Sequence, residues 1–340
     1  MKRVLWVALV FAGCSKKPSQ PELHVFNWSE YFAPDTISNF EKEFHCRVVV
    51  DYIASPEMLR TKLESVPSGY DVVFPSEDLL PTLIVGEKLE RLDPNQLPNG
   101  KNIASRFRGF PADPKNEFSV PYMWGTTGIA FNRKQFGPPP DSWAVLWDPK
   151  YTPKMTMLDD MREAFVAAMF ANGDDPRKPT AEAIDRAKRK LLERKPLDYD
   201  SSPQMKLIVG DTWIAQAYNG DALQAAESEE RRADLGFVIP KEGATIWIDN
   251  MCVAKGAKNR DLAHAFINYL LRPEVSAAIS NFKKYANPNE AARPHILKEI
   301  LGNPVIYPSE SDLQRCFPLA ELSGDLRKKM EEAWAEIRQK

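Results

Sequence analysis

The chain has 340 residues, enough for two domains. Its formal net charge of −2 leaves no basic surplus to neutralise phosphates, which argues against a nucleic-acid partner. Hydrophobic residues at 43% and charged residues at 27% give the balance of an ordinary globular protein, and no apolar run reaches the roughly 18 residues that span a bilayer.

The N-terminus has its own composition. Lys2 and Arg3 precede an apolar run from Val4 to Ala12, a charged n-region followed by a short h-region. Phe11-Ala12-Gly13-Cys14 closes that run, and a polar stretch from Ser15 to Gln20 follows. A small-small-Cys ending resembles a bacterial lipobox, with Phe11 in place of the usual Leu. The resemblance implies a signal peptide over 1–13, cleavage before Cys14, a diacylglycerol on its thiol and a tether over 14–22. Acyl chains would then hold the domain at a membrane surface. A plain secretory signal with a chance cysteine is the alternative. Cys46, Cys252 and Cys316 remain, with no CxxC spacing, and His24, His45, His264 and His295 are scattered. Neither a metal nor a cofactor is expected.

From Leu23 the pattern alternates strands with helices. It predicts a strand over Leu23 to Trp28, a helix over Asp35 to Phe44 with Asp35 as its N-cap, and a β-branched strand over Arg47 to Ile53. Ser55-Pro56 opens the next helix, and Tyr70 to Ser76 is a strand running into a loop. This order argues for an α/β fold with a parallel sheet covered by helices. Phe118 to Asn132 is extended and suited to crossing between lobes. A strand at Met155 to Leu158 precedes helices over Met161 to Asn172 and Thr180 to Arg194. A strand at Leu235 to Ile239, the turn Pro240 to Gly243 and the apolar strand Ala244 to Val253 follow, the last a second crossing. Asp261 to Leu271 is a helix stopped by Pro273, and Gly324 to Arg338 a charged terminal helix. Two lobes joined by two crossings leave a cleft at the strand ends, where open α/β sheets bind ligands. The expected lobes are 23–125 with 249–294, and 126–248 with 295–340.

No GxSxG, HExxH or phosphate-binding glycine loop occurs. Asp160 and Glu163 could form a hydrolytic acid pair, or could cap the helix that follows. The informative pattern is aromatic residues beside acids at strand ends: Trp28-Ser29-Glu30-Tyr31, Tyr218-Asn219-Gly220-Asp221 around a turn, Trp247-Ile248-Asp249, and the loop opened by Tyr285. Trp247 and Asp249 are two apart and project from one face of a strand. Ring faces attract an ammonium and carboxylates pair with it, so a box of both suits a linear di- or triamine. The acids are expected to be ionised.

These residues resemble the periplasmic polyamine-binding proteins of ABC importers, of the spermidine and putrescine types. The similarity spans nearly the whole mature chain. It is carried by Asn27 to Tyr31, Tyr70 to Ser76, Pro121 to Gly125, Asp159 to Glu163, Pro240 to Gly243, Trp247 to Asp249, Asn287-Pro288-Asn289 and Ala291-Ala292-Arg293. The resemblance implies a two-lobed binding-protein fold of type II, with two Rossmann-like lobes on crossover hinge strands. It implies a non-enzymatic monomer that hands its ligand to a membrane permease. Trp28, Tyr31, Tyr218, Trp247 and Tyr285 would be the aromatic walls. Asp249 and Glu163 would hold ammonium groups, Asp160 would bind a terminal amine or cap its helix, and Ser29 and Ser76 would add hydrogen bonds. Asp221 matches an acid of the putrescine type. Tyr218 stands where both types usually have Trp, and Asp78 where the spermidine type has an aromatic. These departures favour putrescine over spermidine. One further contact is implied between residues 311 and 320 without a fixed position. The same fold also serves other ligands such as thiamine or ferric iron, which is the alternative reading.

Overall fold

The structure is a computed structural model that describes residues 20–53, 55–109, 113–136, 138–193, 196–227, 234–319 and 321–339. The expected signal peptide 1–13, Cys14 and most of the tether lie outside the described residues. Strand β1 begins at Glu22, one residue before the expected start of the first lobe.

Strand β1 (Glu22–Trp28) alternates: Leu23 and Val25 enter one core, and Phe26 enters another on the opposite face. β2 (Arg47–Ile53) and the short β3 (Val72–Val73) flank it in parallel. Helices Thr36–Phe44, Arg260–Leu270 and Pro273–Lys283 cover one face through Phe40, Phe266 and Ile279. Helix Pro56–Glu64 and the turn around Leu80 cover the other through Leu59, Leu63 and Leu83. The side chain of Ser55 caps its helix by accepting the Met58 amide, whereas Asp35 makes no such bond. Pro273 does stop the helix before it, but it also opens a new one, since proline suits the first helical turn.

The crossings are β4 (Val120–Asn132) and β9 (Ala244–Val253). They run antiparallel, with Gly125 opposite Trp247 and Met123 opposite Asp249. The first half of β4 pairs with β9, and its second half pairs with β7 (Ile214–Tyr218) and β8 (Leu235–Val238). β5 (Met155–Met157) lies parallel to β7 and β6 (Asp198–Tyr199), and β10 (Cys316–Phe317) joins the start of β9. The result is one sheet in the order β2-β1-β3-β9-β4-β7-β5-β6, with β10 beside β9 and β8 beside β4. The chain is therefore a two-lobed α/β protein whose lobes share two continuous strands.

The second lobe repeats the logic of the first. Ile129, Phe131 and Ile214 face Trp143, Phe165, Ile184 and Met330, while Ala130, Ala215 and Ala217 face Leu207 and Leu235. One boundary differs from expectation. Ile296, Ile300 and Ile306 are buried in the first lobe's core, and Leu313 packs against it. Cys316 and Leu322 pack in the second lobe, so by packing the chain returns there after Leu313 and not at 295.

Asn219 fastens the crossing to the first lobe. Its side-chain oxygen accepts the Thr126 amide at 3.1 Å, and its amide nitrogen donates to the Val305 carbonyl at 3.0 Å. The residue is 0% exposed. Asn219→Ala leaves both backbone groups without their partner and is expected to cost about 2–4 kcal/mol, read from the urea unfolding midpoint.

Candidate ligand-binding cavity

A cavity of about 400 Å³ opens between the lobes, below the crossing strands. Its lining includes all twelve residues singled out from the sequence: Trp28, Ser29, Tyr31, Ser76, Asp78, Asp160, Glu163, Tyr218, Asp221, Trp247, Asp249 and Tyr285. Trp28, Ser29 and Tyr31 come from the end of β1 and the turn after it. Trp247 and Asp249 stand on β9. Asp160 and Glu163 sit at the start of helix Met161–Ala171. Tyr218 ends β7 and Asp221 lies in the first turn of helix Asn219–Glu227, where a turn was expected. The sequence concealed that strand, because Ala215 and Ala217 weaken its apolar alternation.

Four rings make a continuous wall. Tyr31 and Tyr285 have centroids 5.9 Å apart, Tyr285 and Trp247 4.8 Å, and Trp247 and Tyr218 5.9 Å, each pair edge-to-face. Two glycines make room for it. A Cβ on Gly125 would lie 2.3 Å from the Trp247 ring, and one on Gly220 would lie 2.1 Å from the Tyr285 ring. Tyr122 sets the first ring by donating to the Tyr31 carbonyl at 2.5 Å.

Carboxyl groups stand at both ends of this wall. Tyr31 Oη donates to Asp249 Oδ2 at 2.5 Å, and Tyr218 Oη donates to Asp160 Oδ2 at 3.3 Å. Asp160 also caps its helix by accepting the Glu163 amide at 3.1 Å, so it both caps and faces the cavity. Glu163 does not complete a capping box. Its Oε1 accepts from Thr127 at 3.0 Å and Thr245 at 2.7 Å, hydroxyls carried by the two crossing strands. Its Oε2 is buried without a hydrogen-bond partner.

Charge is unevenly matched. Arg162 Nη1 lies 3.6 Å from Asp78 Oδ2, and Ser76 Oγ donates to Asp78 Oδ1 at 2.7 Å. Lys283 Nζ donates to Asp221 Oδ1 at 3.1 Å and sits 5.3 Å from the centre of the Tyr285 ring. Among the described residues, no cation pairs with Glu163 or Asp249. Without a cationic partner, burial disfavours the ionised forms of these two acids, against the expectation that they are ionised. Burial drives the Asp249 carboxyl up to about 7, against the bond from Tyr31. Burial, and then the Asp160 carboxylate, holds Glu163 well above the usual carboxylate range. Burial and then Glu57 raise Asp160. A box of buried, raised carboxyls and ring faces favours positive charge.

Comparison with known proteins agrees with this geometry. The family model described as bacterial extracellular solute-binding protein matches residues 35–300. The chain belongs to that family. This solute-binding protein is 36% identical to the putrescine-binding periplasmic protein PotF of Escherichia coli strain K12, over 94% of this chain and 92% of the relative. It is 32% identical to the putrescine/cadaverine-binding protein of Pseudomonas aeruginosa, over 99% of both. Among solved structures, the TpPotD lipoprotein of Treponema pallidum superposes with a TM-score of 0.83 at 29% identity, covering 94% of this chain and 100% of that one.

The solute-binding protein also has wall residues that were not singled out. Tyr52, Ile53, Pro56 and Leu319 add apolar lining, and Leu319 falls inside the 311–320 segment left open above. Arg162 and Lys283 are the cations not anticipated. Lys283 ends a helix that the sequence reading did not place, and the fold turns its side chain inward.

The raised Asp249 carboxyl has a consequence for stability. Folding lifts it from 3.8 to about 7, so its contribution is fully present below about pH 4 and is lost as pH rises through 7. The shift corresponds to at most about 4 kcal/mol. Asp249→Asn is expected to raise the melting temperature of the ligand-free protein at pH 8 but not at pH 4.5, checked by calorimetric scans at both.

Proposed function

We propose that this protein captures a short linear diamine, putrescine in preference to spermidine, and delivers it to the membrane permease of an ABC importer. The carrying observation is the pair of buried, cation-free carboxyls, Glu163 and Asp249, in one cavity with a continuous aromatic wall. One ammonium sits at Asp249, and the other at Glu163 with Asp160. The methylenes lie along Tyr31, Tyr285, Trp247 and Tyr218, with Trp28 at the side. Ser29 and Ser76 supply hydrogen bonds. The diamine names of the Escherichia coli and Pseudomonas aeruginosa relatives support this reading.

The magnitudes are adequate. Each desolvated ring–ammonium contact is worth up to about 2 kcal/mol. A ceiling near 1.5 kcal/mol per non-hydrogen atom allows roughly 9 kcal/mol for a ligand of about six such atoms, or sub-micromolar binding. Both lobes line the cavity, so hinge closure on β4 and β9 would bury the ligand. The protein would act as a monomer outside the cytoplasm, held to the membrane by a lipid on Cys14. Loss of that anchor in Cys14→Ala should move the protein from the membrane to the soluble fraction.

Titration calorimetry with putrescine, spermidine, an amino acid and a sugar tests the reading. Heat is expected from the amines, and heat from the sugar or amino acid alone overturns it. Because ammonium binding favours ionised Asp249 and Glu163, binding at pH 7 should release protons, seen as an enthalpy that varies with buffer. Affinity should fall about tenfold or more between pH 8 and pH 5.5.

A further inference from the structure

The cavity has a third place fit for an ammonium, and the chain fills it itself. Asp221 offers a carboxylate that is 5% exposed, and the Tyr285 ring beside it is 3% exposed. These are two contacts that stabilise a buried amine: an acid at hydrogen-bond distance and a ring face. Lys283, also 5% exposed, makes both, at 3.1 Å from Asp221 and 5.3 Å from the ring centre. Lys283 ends helix Pro273–Lys283 in the first lobe, and Asp221 belongs to the helix that follows β7 of the second. The backbone fixes the lysine there: the Lys283 carbonyl accepts from Gln224 at 3.3 Å, and Lys284 turns left-handed at φ 62° to end the helix.

We infer that Lys283 is a resident ammonium that occupies the Asp221 subsite, so that the cavity accepts an outside cation only at Asp249 and at the Asp160–Glu163 end. Lys283 is thus a specificity residue. It cancels one acid and takes the space of one amine, limiting the ligand to two cationic ends. A third amine on a longer ligand meets an occupied subsite and a like charge, and like charges brought together in a buried site are strongly unfavourable. Asp221 can be present in the wall and still contribute no free charge to the ligand.

The inference rests on the amine-binding reading above, and the experiment separates the two. Wild type and Lys283→Met are titrated calorimetrically with putrescine and with spermidine at one pH and salt concentration. Should wild type bind neither amine, the amine reading itself fails. Given binding by wild type, Lys283→Met frees Asp221, and the ratio of putrescine to spermidine affinity is expected to move toward spermidine by about tenfold. A ratio that moves toward spermidine by less than threefold, or toward putrescine, overturns the inference. Should Lys283→Met not fold, Lys283→Gln keeps a donor for Asp221 without the charge and is read by the same threshold.

Discussion

Gly125 and Trp247 face each other across the β4–β9 ladder, and the indole lies where a side chain on residue 125 would be. Most of the cavity depends on that contact. The ladder belongs to both lobes, so its register sets where the lobes meet as well as which side chains point down between them. Asp249 follows Trp247 onto the same face, and the ring of Tyr285 rests against Trp247. Thr127 and Thr245, from the two strands, hold one oxygen of Glu163. A slip of one residue would turn these groups to the opposite face at once. Hinge and binding surface are thus made of the same backbone.

The cavity is costly to the protein that holds it. Buried acids without cationic partners are ordinarily selected against, because desolvation disfavours their charged form. Here they share protons with solvent and wait for charge from outside. Asp78 and Asp221 show the opposite arrangement in the same space, each beside a cation of the chain itself. The contrast separates acids that are poised for ligand from acids that shape the room it enters.

Much of this is legible in the amino-acid sequence. The apolar residues of Leu23 to Trp28 and the β-branched run of Arg47 to Ile53 mark the parallel strands, and the extended segment Phe118 to Asn132 and the apolar strand Ala244 to Val253 mark both crossings. Aromatic–acid pairs such as Trp247 with Asp249 led to the cavity, because period-two spacing fixes a shared face. Three features were not legible, each for a physical reason. Ile214 to Tyr218 is a central strand with alanine at 215 and 217, side chains too small to show an alternating pattern. Ile296, Ile300 and Ile306 belong to a core assembled far away in sequence, and no local signal states which lobe will bury them. Lys283 was hidden because a lysine near a helix end is usually solvated, and the carboxylate that draws this one inward lies 62 residues away.

The late return of the chain from the first lobe bears on how the molecule is made. That lobe's core includes Leu23 and Val25 at one extreme and Ile300 and Ile306 at the other. The second lobe needs Met330 and Ile337 to cover Phe165. Neither interior can close until nearly the entire chain is available, and contacts of such long sequence separation form slowly.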